Sequence, residues 1–366
     1  MVIGVVKCPE ENLVALVPQV TTKLIKDEYQ VVVESGAGKS SGYSDELYES
    51  AGAVISSRKE VLSKADVILT GTSIPKSDID QIKTDAILVG KFNGRVESEL
   101  ITNLKTSKTQ AFSLDLLPRS TIAQSMDVLS SLASLSGYKA VVTAADEFAG
   151  YFPMMTTSAG TIPPARVLVL GAGVAGLQAI ATARRLGAIV EAFDVRTAVR
   201  EEVQSLGAKF IEVEGAQEDS AAGGYAVEQS AEYIAKQKEL IHDTAVKADI
   251  VITTANIPGR KAPVLIENRT VNAMKQGSVI VDMASASGGN CELSKDDQTV
   301  DIDGVKIIGD AKLYNQMGKQ ASLLYSNNIY NFLKYILKEG KDKLPYDSEI
   351  VSQSLLKVEE ESAVTA

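Results

Sequence analysis

One stretch near the middle of the chain, residues 165–188, limits what the surrounding sequence can fold into. A run of β-forming residues, Val167 to Leu170, leads into a turn with glycine at three positions, and a helical pattern follows directly. A second β-forming run ends in Asp194, about twenty residues past the first glycine of the turn. This succession of strand, glycine turn, helix, strand and acid is the fingerprint of a dinucleotide-binding βαβ unit.

Each residue of this fingerprint has a physical task. Gly171 permits the tight turn, Gly173 leaves room for a pyrophosphate beside the backbone, and Gly176 lets helix and strand pack closely. The helix N-terminus, from Val174, presents unpaired N–H groups and the positive end of its dipole to the phosphates. Asp194 is placed to accept hydrogen bonds from the adenosine ribose, which favours NAD over NADP because a 2′-phosphate would meet a carboxylate.

Further contacts to the nucleotide are expected beside the fingerprint. Val195 and Arg196 follow the acid, and Arg196 argues in the other direction because a nearby arginine can accommodate the 2′-phosphate of NADP. The strand predicted at residues 249–254 is followed by Ala255 and Asn256. Because ligands of doubly wound sheets bind outside the carboxyl ends of the strands, these two residues are expected to form part of the rim.

Composition excludes several other classes of protein. A net charge of −10 argues against a nucleic-acid partner, and two cysteines make no disulfide framework, which indicates a reducing compartment. The uncharged stretches 148–165 and 167–183 are shorter than the roughly 20 residues of a membrane span, and prolines or glycines interrupt them. We therefore expect no direct membrane span, and no metal site is predicted.

The remaining patterns predict the domain organisation. Five β-forming runs between Val2 and Ser113 alternate with helical patterns, which predicts a parallel sheet covered on both faces. Long helices are expected at about 124–148 and about 317–338. The fold class is therefore α/β, with two Rossmann-like, doubly wound parallel-sheet domains joined by two long helices. The predicted domains are 1–128 with 315–366, and 129–314 as the NAD(H)-binding domain.

Several polar residues outside the fingerprint each allow two interpretations. Gln124 and Asp127 lie three apart on the first long helix, with Arg119 in the loop before it, and spacing alone favours a helix cap with solvated side chains. The single histidine, His242, is interpreted as a solvated surface residue rather than a catalytic one. The segment 214–225, acidic and rich in small residues, is either an ordinary loop or a lid over the nucleotide.

Five motifs, taken in order, resemble those of one family. They lie at residues 119–127, 161–183, 222–225, 253–259 and 288–294. Together they resemble the NAD(H)-binding domain I, or alpha subunit, of proton-translocating NAD(P) transhydrogenase, whose fold alanine dehydrogenases share. The resemblance covers nearly the whole chain.

The resemblance implies roles for residues whose spacing alone did not point to a site. Gly224 and Tyr225 match a mobile loop that closes over the nucleotide. The residues matching the loop that holds the nicotinamide end are Arg119, Gln124 and Asp127, with Ser130 as a further contact. The resemblance also implies a homodimer beside a domain III that binds NADP(H), seated on a membrane-spanning domain II. The implied location is the peripheral face of a membrane complex in a bacterial cytoplasm or an organelle matrix.

The alanine dehydrogenase branch of the family implies a different chemistry. That reaction moves protons as well as a hydride, so it needs an acid–base group and a clamp for the substrate carboxylate. In place of that branch's arginine, lysine, histidine and acid, this chain carries Leu13, Thr70, Lys91 and Ala286. Leu13 and Lys91 also depart from the usual transhydrogenase pattern, which is consistent with a vestigial cleft in the first domain.

Three functions are therefore compared. Hydride transfer from NADH to NADP⁺ runs from carbon to carbon and needs no acid or base, which suits a chain with one histidine. The first hypothesis is a transhydrogenase component that binds NAD(H) and presents its nicotinamide to NADP(H). The second is an alanine-type amino-acid dehydrogenase with an altered substrate site, and the third is an NAD-sensing or dimerisation module.

Overall fold

The computed structural model describes residues 1–213, 230–257 and 259–356, in which strands and helices alternate along most of the chain. The strands are β1 Val2–Val5, β2 Gln30–Glu34, β3 Val54–Ser56, β4 Val67–Leu69, β5 Ile87–Gly90, β6 Gln110–Ser113, β7 Met155–Thr157, β8 Gly160–Ile162, β9 Arg166–Leu170, β10 Ile189–Phe193, β11 Lys209–Ile211, β12 Ile250–Thr253, β13 Val279–Asp282, β14 Gln298–Ile302 and β15 Val305–Gly309. The α-helices are α1 Pro18–Lys26, α2 Asp45–Ser50, α3 Arg58–Lys64, α4 Lys76–Ile79, α5 Glu99–Thr106, α6 Val128–Glu147, α7 Val174–Arg185, α8 Arg200–Ser205, α9 Ala231–Ala245, α10 Asn268–Ala273, α11 Gly318–Ile336 and α12 Glu349–Ser354.

The chain divides into two compact units, of which the first comprises residues 1–132 and 315–366. Its six-stranded sheet has the order β3-β2-β1-β4-β5-β6, and every neighbouring pair is parallel. Val5 of β1 pairs with Val33 of β2 and with Leu69 of β4. All three side chains are buried, as expected for a parallel sheet whose faces are both covered by helices.

The second unit comprises residues 133–314 and contains a seven-stranded sheet. Its order is β11-β10-β9-β12-β13-β15-β14, and only β14, paired with β15, is antiparallel. Alternate residues of β9 enter two different hydrophobic clusters, Val167 and Val169 in one, Leu168 and Leu170 in the other. This explains why the central strand reads as a continuous apolar run. Strands β7 and β8 form a separate antiparallel hairpin.

The predicted α/β class with parallel sheets is confirmed, but the predicted start of the first long helix is wrong. A 3₁₀ turn spans Ala123–Met126, and α6 begins only at Val128. Asp127 between them has extended backbone angles, φ −73° and ψ 94°, because it caps the helix. Gln124 and Asp127 therefore do not share a face of one α-helix, as the spacing predicted.

Helix α6 is also unusually apolar for its length. Among the described residues it is the one helix that is long and apolar enough, by length and composition, to cross a membrane. Core helices of proteins outside membranes meet the same criterion, and Ala140, Val141 and Ala144 of α6 are buried in a cluster with residues of β9. This property is therefore weak evidence for a membrane span.

Candidate functional site

The three glycines of the fingerprint occupy three different environments in the turn between β9 and α7. Gly171 has φ +99°, a conformation that side chains of L-residues rarely adopt. A Cβ on Gly176 would lie 1.8 Å from the carbonyl oxygen of Gly171, so only glycine lets the helix approach the strand this closely. A Cβ on Gly173 would meet nothing within 4 Å. The backbone at Gly173 is thus open, at the N-terminus of α7, where phosphates bind.

The acid at the end of β10 is buried and is bound by the turn itself. Asp194 is 8% exposed, and its Oδ2 accepts a hydrogen bond of 2.7 Å from the backbone N–H of Ala172. Arg196 donates from Nε to Oδ1 at 2.9 Å and from Nη2 to Oδ2 at 2.7 Å. The hydrogen bonds to Asp194 raise the pKa of the Arg196 guanidinium above its ordinary value. The carboxylate and the guanidinium therefore form a two-point ion pair beside the glycine turn.

The rim beyond β12 is held in place by an asparagine that the sequence patterns did not indicate. Asn290 is fully buried; its Oδ1 accepts from the N–H of Ala255 at 3.0 Å, and its Nδ2 donates to the carbonyls of Ala255 and Pro263 at 2.8 Å each. The hydroxyl of Thr254 donates to the carbonyl of Gly171 at 2.9 Å, which ties the rim to the glycine turn. Asn256 follows and is exposed.

A second buried carboxylate lies at the end of β13. Asp282 accepts hydrogen bonds from the hydroxyl of Thr253 at 2.9 Å and from the N–H groups of Ala284 and Cys291 at 3.0 Å each. These bonds hold the two loops that leave β12 and β13. Burial raises the pKa of the Cys291 thiol to about 12, so the thiol stays protonated near neutral pH.

The residues assigned to the nicotinamide end lie in the first unit. Asp127 caps α6: its Oδ1 accepts from the N–H of Ser130 at 2.9 Å and its Oδ2 from the Ser130 hydroxyl at 2.5 Å. Arg119 and Gln124 are exposed, Gln124 on the 3₁₀ turn. The carbonyl of Ser125 in that turn accepts from the side-chain amides of two α11 residues. Those residues are Asn328 at 2.9 Å and Asn331 at 3.0 Å.

Comparison with known proteins decides the family. The alanine dehydrogenase/PNT N-terminal domain matches residues 7–136, and the alanine dehydrogenase/PNT C-terminal domain matches residues 140–364. The chain belongs to the alanine dehydrogenase/PNT family. The resemblance inferred from the five motifs is thereby confirmed, and the family places the chain among oxidoreductases.

Three members of the alanine dehydrogenase/PNT family show how close the similarity is. An NAD(P) transhydrogenase subunit alpha protein of Rhodospirillum rubrum is 46% identical over 334 residues, which is 89% of this chain and 87% of that protein. The crystal structure of transhydrogenase from Sinorhizobium meliloti superposes with a TM-score of 0.89 at 41% identity, covering 98% of each chain. The alanine dehydrogenase of Bacillus subtilis is 26% identical over 366 residues, covering 97% of this chain and 90% of that enzyme.

Three of the four positions that differ from the alanine dehydrogenase branch of the family lie in the first unit. Leu13 and Thr70 are buried there, and the Thr70 hydroxyl donates to the carbonyl of Ser73 at 3.1 Å. Lys91 is half-buried and follows β5, whereas Ala286 is exposed beyond β13 in the second unit. Leu13, at 1% exposed, adds an apolar side chain to the interior where that branch has a charged one.

The remaining sequence predictions divide into three outcomes. Gly171, Gly173, Val174, Gly176, Asp194, Val195 and Arg196 come together around the β9–α7 turn and the end of β10, and Ala255 is tied to the rim. Gly224 and Tyr225, with the proposed lid, lie outside the described residues. The prediction for His242 is wrong, because its ring is half-buried and its Nδ1 lies 2.9 Å from the hydroxyl of the buried Thr270.

Proposed function

We propose that this chain is the NAD(H)-binding component, domain I, of an NAD(P) transhydrogenase. It holds NAD(H) at the carboxyl edge of the second-unit sheet and passes a hydride directly between this nucleotide and NADP(H) bound on a separate domain III. A membrane-spanning domain II couples the transfer to proton translocation. The similarity to transhydrogenase alpha subunits supports this proposal over an amino-acid dehydrogenase.

One observation in the site carries the chemical part of the proposal. The turn at Gly173 is open for a pyrophosphate, while both buried carboxylates at this edge, Asp194 and Asp282, accept several hydrogen bonds from the protein. Carboxylates engaged in this way fix loops and ligands but are poorly suited to shuttle protons. Hydride transfer between two nicotinamide carbons changes the protonation of no heteroatom, so positioning of the two rings supplies the catalysis.

The nicotinamide end of NAD(H) is assigned to Arg119, Gln124, Asp127 and Ser130. The amides of α11 that bind the carbonyl of Ser125 keep this turn in one conformation, which favours precise positioning. Asp127 also caps α6, so its two roles have to be separated. Asp127→Asn keeps an oxygen acceptor for the cap and removes the charge, whereas Asp127→Ala removes both and should cost about 1 kcal/mol of stability.

The proposed assembly follows from the same assignment. The chain forms a homodimer at the peripheral face of a membrane complex, in a bacterial cytoplasm or an organelle matrix, beside domains II and III. Of the two nucleotides, NAD(H) binds here and NADP(H) binds on domain III. Val195, Ala255 and Asn256 contact NAD(H) beside the fingerprint residues, and Gly224 and Tyr225 close over it.

A mixed-component assay tests the proposal. The chain is combined with a purified NADP(H)-binding transhydrogenase component, and the reduction of an NAD⁺ analogue by NADPH is followed by absorbance. We expect turnover that needs both proteins, and none with NADH, ammonia and pyruvate or other 2-oxo acids. Turnover of 2-oxo acids by the chain alone would instead establish the amino-acid dehydrogenase. NADH binding without any exchange in the mixture would leave the sensing or dimerisation role.

A further inference from the structure

The carboxylate of Asp194 is saturated by the protein's own donors. Its Oδ1 accepts from the backbone N–H and the Nε of Arg196, both at 2.9 Å. Its Oδ2 accepts from the N–H of Ala172 and the Nη2 of Arg196, both at 2.7 Å. An ionised carboxylate offers about four lone-pair positions, and four donors occupy them here. A further pair of donors can bind only if two of the present ones leave.

The two donors that can leave are those of the guanidinium. The N–H groups of Ala172 and Arg196 belong to the backbone of the glycine turn and of the segment after β10, so their positions are fixed by the fold. The guanidinium is carried by a flexible side chain that is 27% exposed, whereas the Asp194 side chain is 7% exposed. Rotation of the arginine side chain therefore frees one lone pair on each carboxylate oxygen.

We propose that Arg196 is a residue that determines nucleotide specificity by competing for Asp194. This inference rests on the proposed NAD(H) site. In the empty protein the guanidinium occupies the two acceptor positions that the 2′- and 3′-hydroxyls of the NAD(H) adenosine ribose take in the complex. Binding of NAD(H) exchanges one pair of donors for another, so the buried carboxylate keeps its partners throughout.

The same ion pair explains why an arginine at this position does not select NADP(H). A 2′-phosphate could bind the guanidinium only if Arg196 left Asp194, and it has no hydrogen to donate in return. The buried carboxylate would lose two charge-assisted hydrogen bonds and face a second anion. Asp194 thus rejects the 2′-phosphate directly and also withholds from it the nearby cation.

The first experiment measures nucleotide affinity in the absence of competition. NADH and NADPH are titrated into the full chain and into Arg196→Gln by calorimetry. We expect Arg196→Gln to bind NADH about threefold to tenfold more tightly, because the ribose no longer has to displace an ion pair. Arg185→Gln, which removes the same charge from an exposed position at the end of α7, is the matched control and should leave the NADH affinity unchanged.

The second experiment releases the arginine from its partner. Asp194→Asn should weaken NADH binding and raise NADPH affinity by about tenfold, because the guanidinium becomes available to the 2′-phosphate. Adding Arg196→Gln to this variant should abolish the gain, since the double-mutant cycle isolates the guanidinium–phosphate contact. Circular dichroism and thermal melting identify any variant that fails to fold, and the Arg196→Gln titration stands independently of Asp194→Asn.

The outcomes separate this inference from the proposed function. If the unmodified chain binds no NADH, the proposed function fails. If it binds NADH but Arg196→Gln binds it equally or more weakly, Arg196 is not a competitor and the inference is overturned. An equal NADPH affinity of Asp194→Asn with and without Arg196 would overturn it as well. Tighter NADH binding by Arg196→Gln together with an Arg196-dependent gain in NADPH binding supports it.

Discussion

The carboxyl edges of the two parallel sheets have the same strand order and different contents. Around the first strand of each sheet the orders are β3-β2-β1-β4-β5 and β11-β10-β9-β12-β13. In the second unit, β9 passes through the glycine turn directly into α7, whose N-terminus lies beside the open backbone of Gly173. In the first unit, β1 ends at Val5 and α1 begins only at Pro18. The chain after the first strand is where the two edges differ.

Side chains fill the first edge at the point where a ligand would bind. A Cβ on Gly71, just after β4, would lie 2.9 Å from the Sγ of Cys8, just after β1. The hydroxyl of the fully buried Tyr325 lies 3.1 Å from the carbonyl oxygen of Thr70 and 3.0 Å from that of Gly71. Burial raises the pKa of Tyr325 well above its ordinary value, so the hydroxyl remains a donor.

The irregular segment that replaces the glycine turn is held by helix α11. The backbone N–H groups of Val14 and Val17 donate to the hydroxyls of Ser322 and Ser326, each at 3.0 Å. The two serines are four residues apart and so lie on one face of the helix. The comparison teaches that topology prepares a crevice in both sheets, and the residues after the first strand decide whether it becomes a site.

The largest effect is expected from closing the second edge at the helix. In Gly176→Ala the new Cβ would lie 1.8 Å from the carbonyl oxygen of Gly171, so the backbone has to move. The gain in helix propensity of about 1 kcal/mol is smaller than the cost of overpacking, and we expect a net loss of about 2 kcal/mol or more. Urea unfolding measures it, and unchanged stability would show that helix and strand can separate at this turn at little cost.

Gly173→Ala should separate binding from folding at the same edge. A Cβ there meets nothing within 4 Å, so stability should change by less than about 1 kcal/mol. The methyl group occupies the space that the pyrophosphate needs, so NADH affinity should fall by about tenfold or more. Calorimetry gives the affinity and urea unfolding the stability. Full NADH affinity in a folded Gly173→Ala variant would place the pyrophosphate elsewhere.

Tyr325→Phe tests the first edge. The change leaves two buried carbonyl oxygens without the shared hydroxyl and should lower the free energy of unfolding by about 1–2 kcal/mol. Because Tyr325 is not assigned to the nucleotide, NADH affinity should stay within about twofold. The variant is compared with Tyr346→Phe, whose hydroxyl bonds to Gln110 at an exposed position. A large loss of NADH binding would give the first edge a role that we do not assign to it.

The smallest effect concerns the two cysteines, which report on access to the interior. Cys8 beside the first edge and Cys291 beside the second are both free and buried. Since burial raises the pKa of Cys291 to about 12, its thiol is protonated at pH 8 and gains reactivity only as the pH approaches that value. We expect no alkylation of the native protein by iodoacetamide at pH 8, measured by mass spectrometry, and two alkylations in denaturant. Rapid native modification of Cys8 would show an open first edge.

The region of the molecule that the sequence predicts best is the one with the most local physics. The predicted β9, glycine turn and α7 match the structure to within about one residue, because apolar periodicity and glycine positions report directly on strand, turn and helix. Helix α11, predicted at about 317–338, spans Gly318–Ile336. Strand β3 was not predicted, because three residues carry too little alternation to stand out.

What the sequence could not provide are contacts between distant residues. Nothing local in Asn290 indicates that its amide holds Ala255 and Pro263, which lie 35 and 27 residues away. Asp127 carried a usable signal, since an acid three residues before a serine at the start of a helix is typical of an N-cap. The saturation of Asp194 by Arg196 depends on a side-chain conformation that spacing does not determine.

The central claim is that the nicotinamide held by this chain reacts with another nicotinamide, and isotope transfer tests it most directly. NADH carrying deuterium at the transferred position of C4 is mixed with NADP⁺, this chain and an NADP(H)-binding component, and the nucleotides are analysed by mass spectrometry. We predict NADPH that carries the deuterium, with no loss to water, because no protein group handles the transferred hydrogen. NADPH without deuterium, or deuterated alanine when pyruvate and ammonia are supplied, would contradict the account.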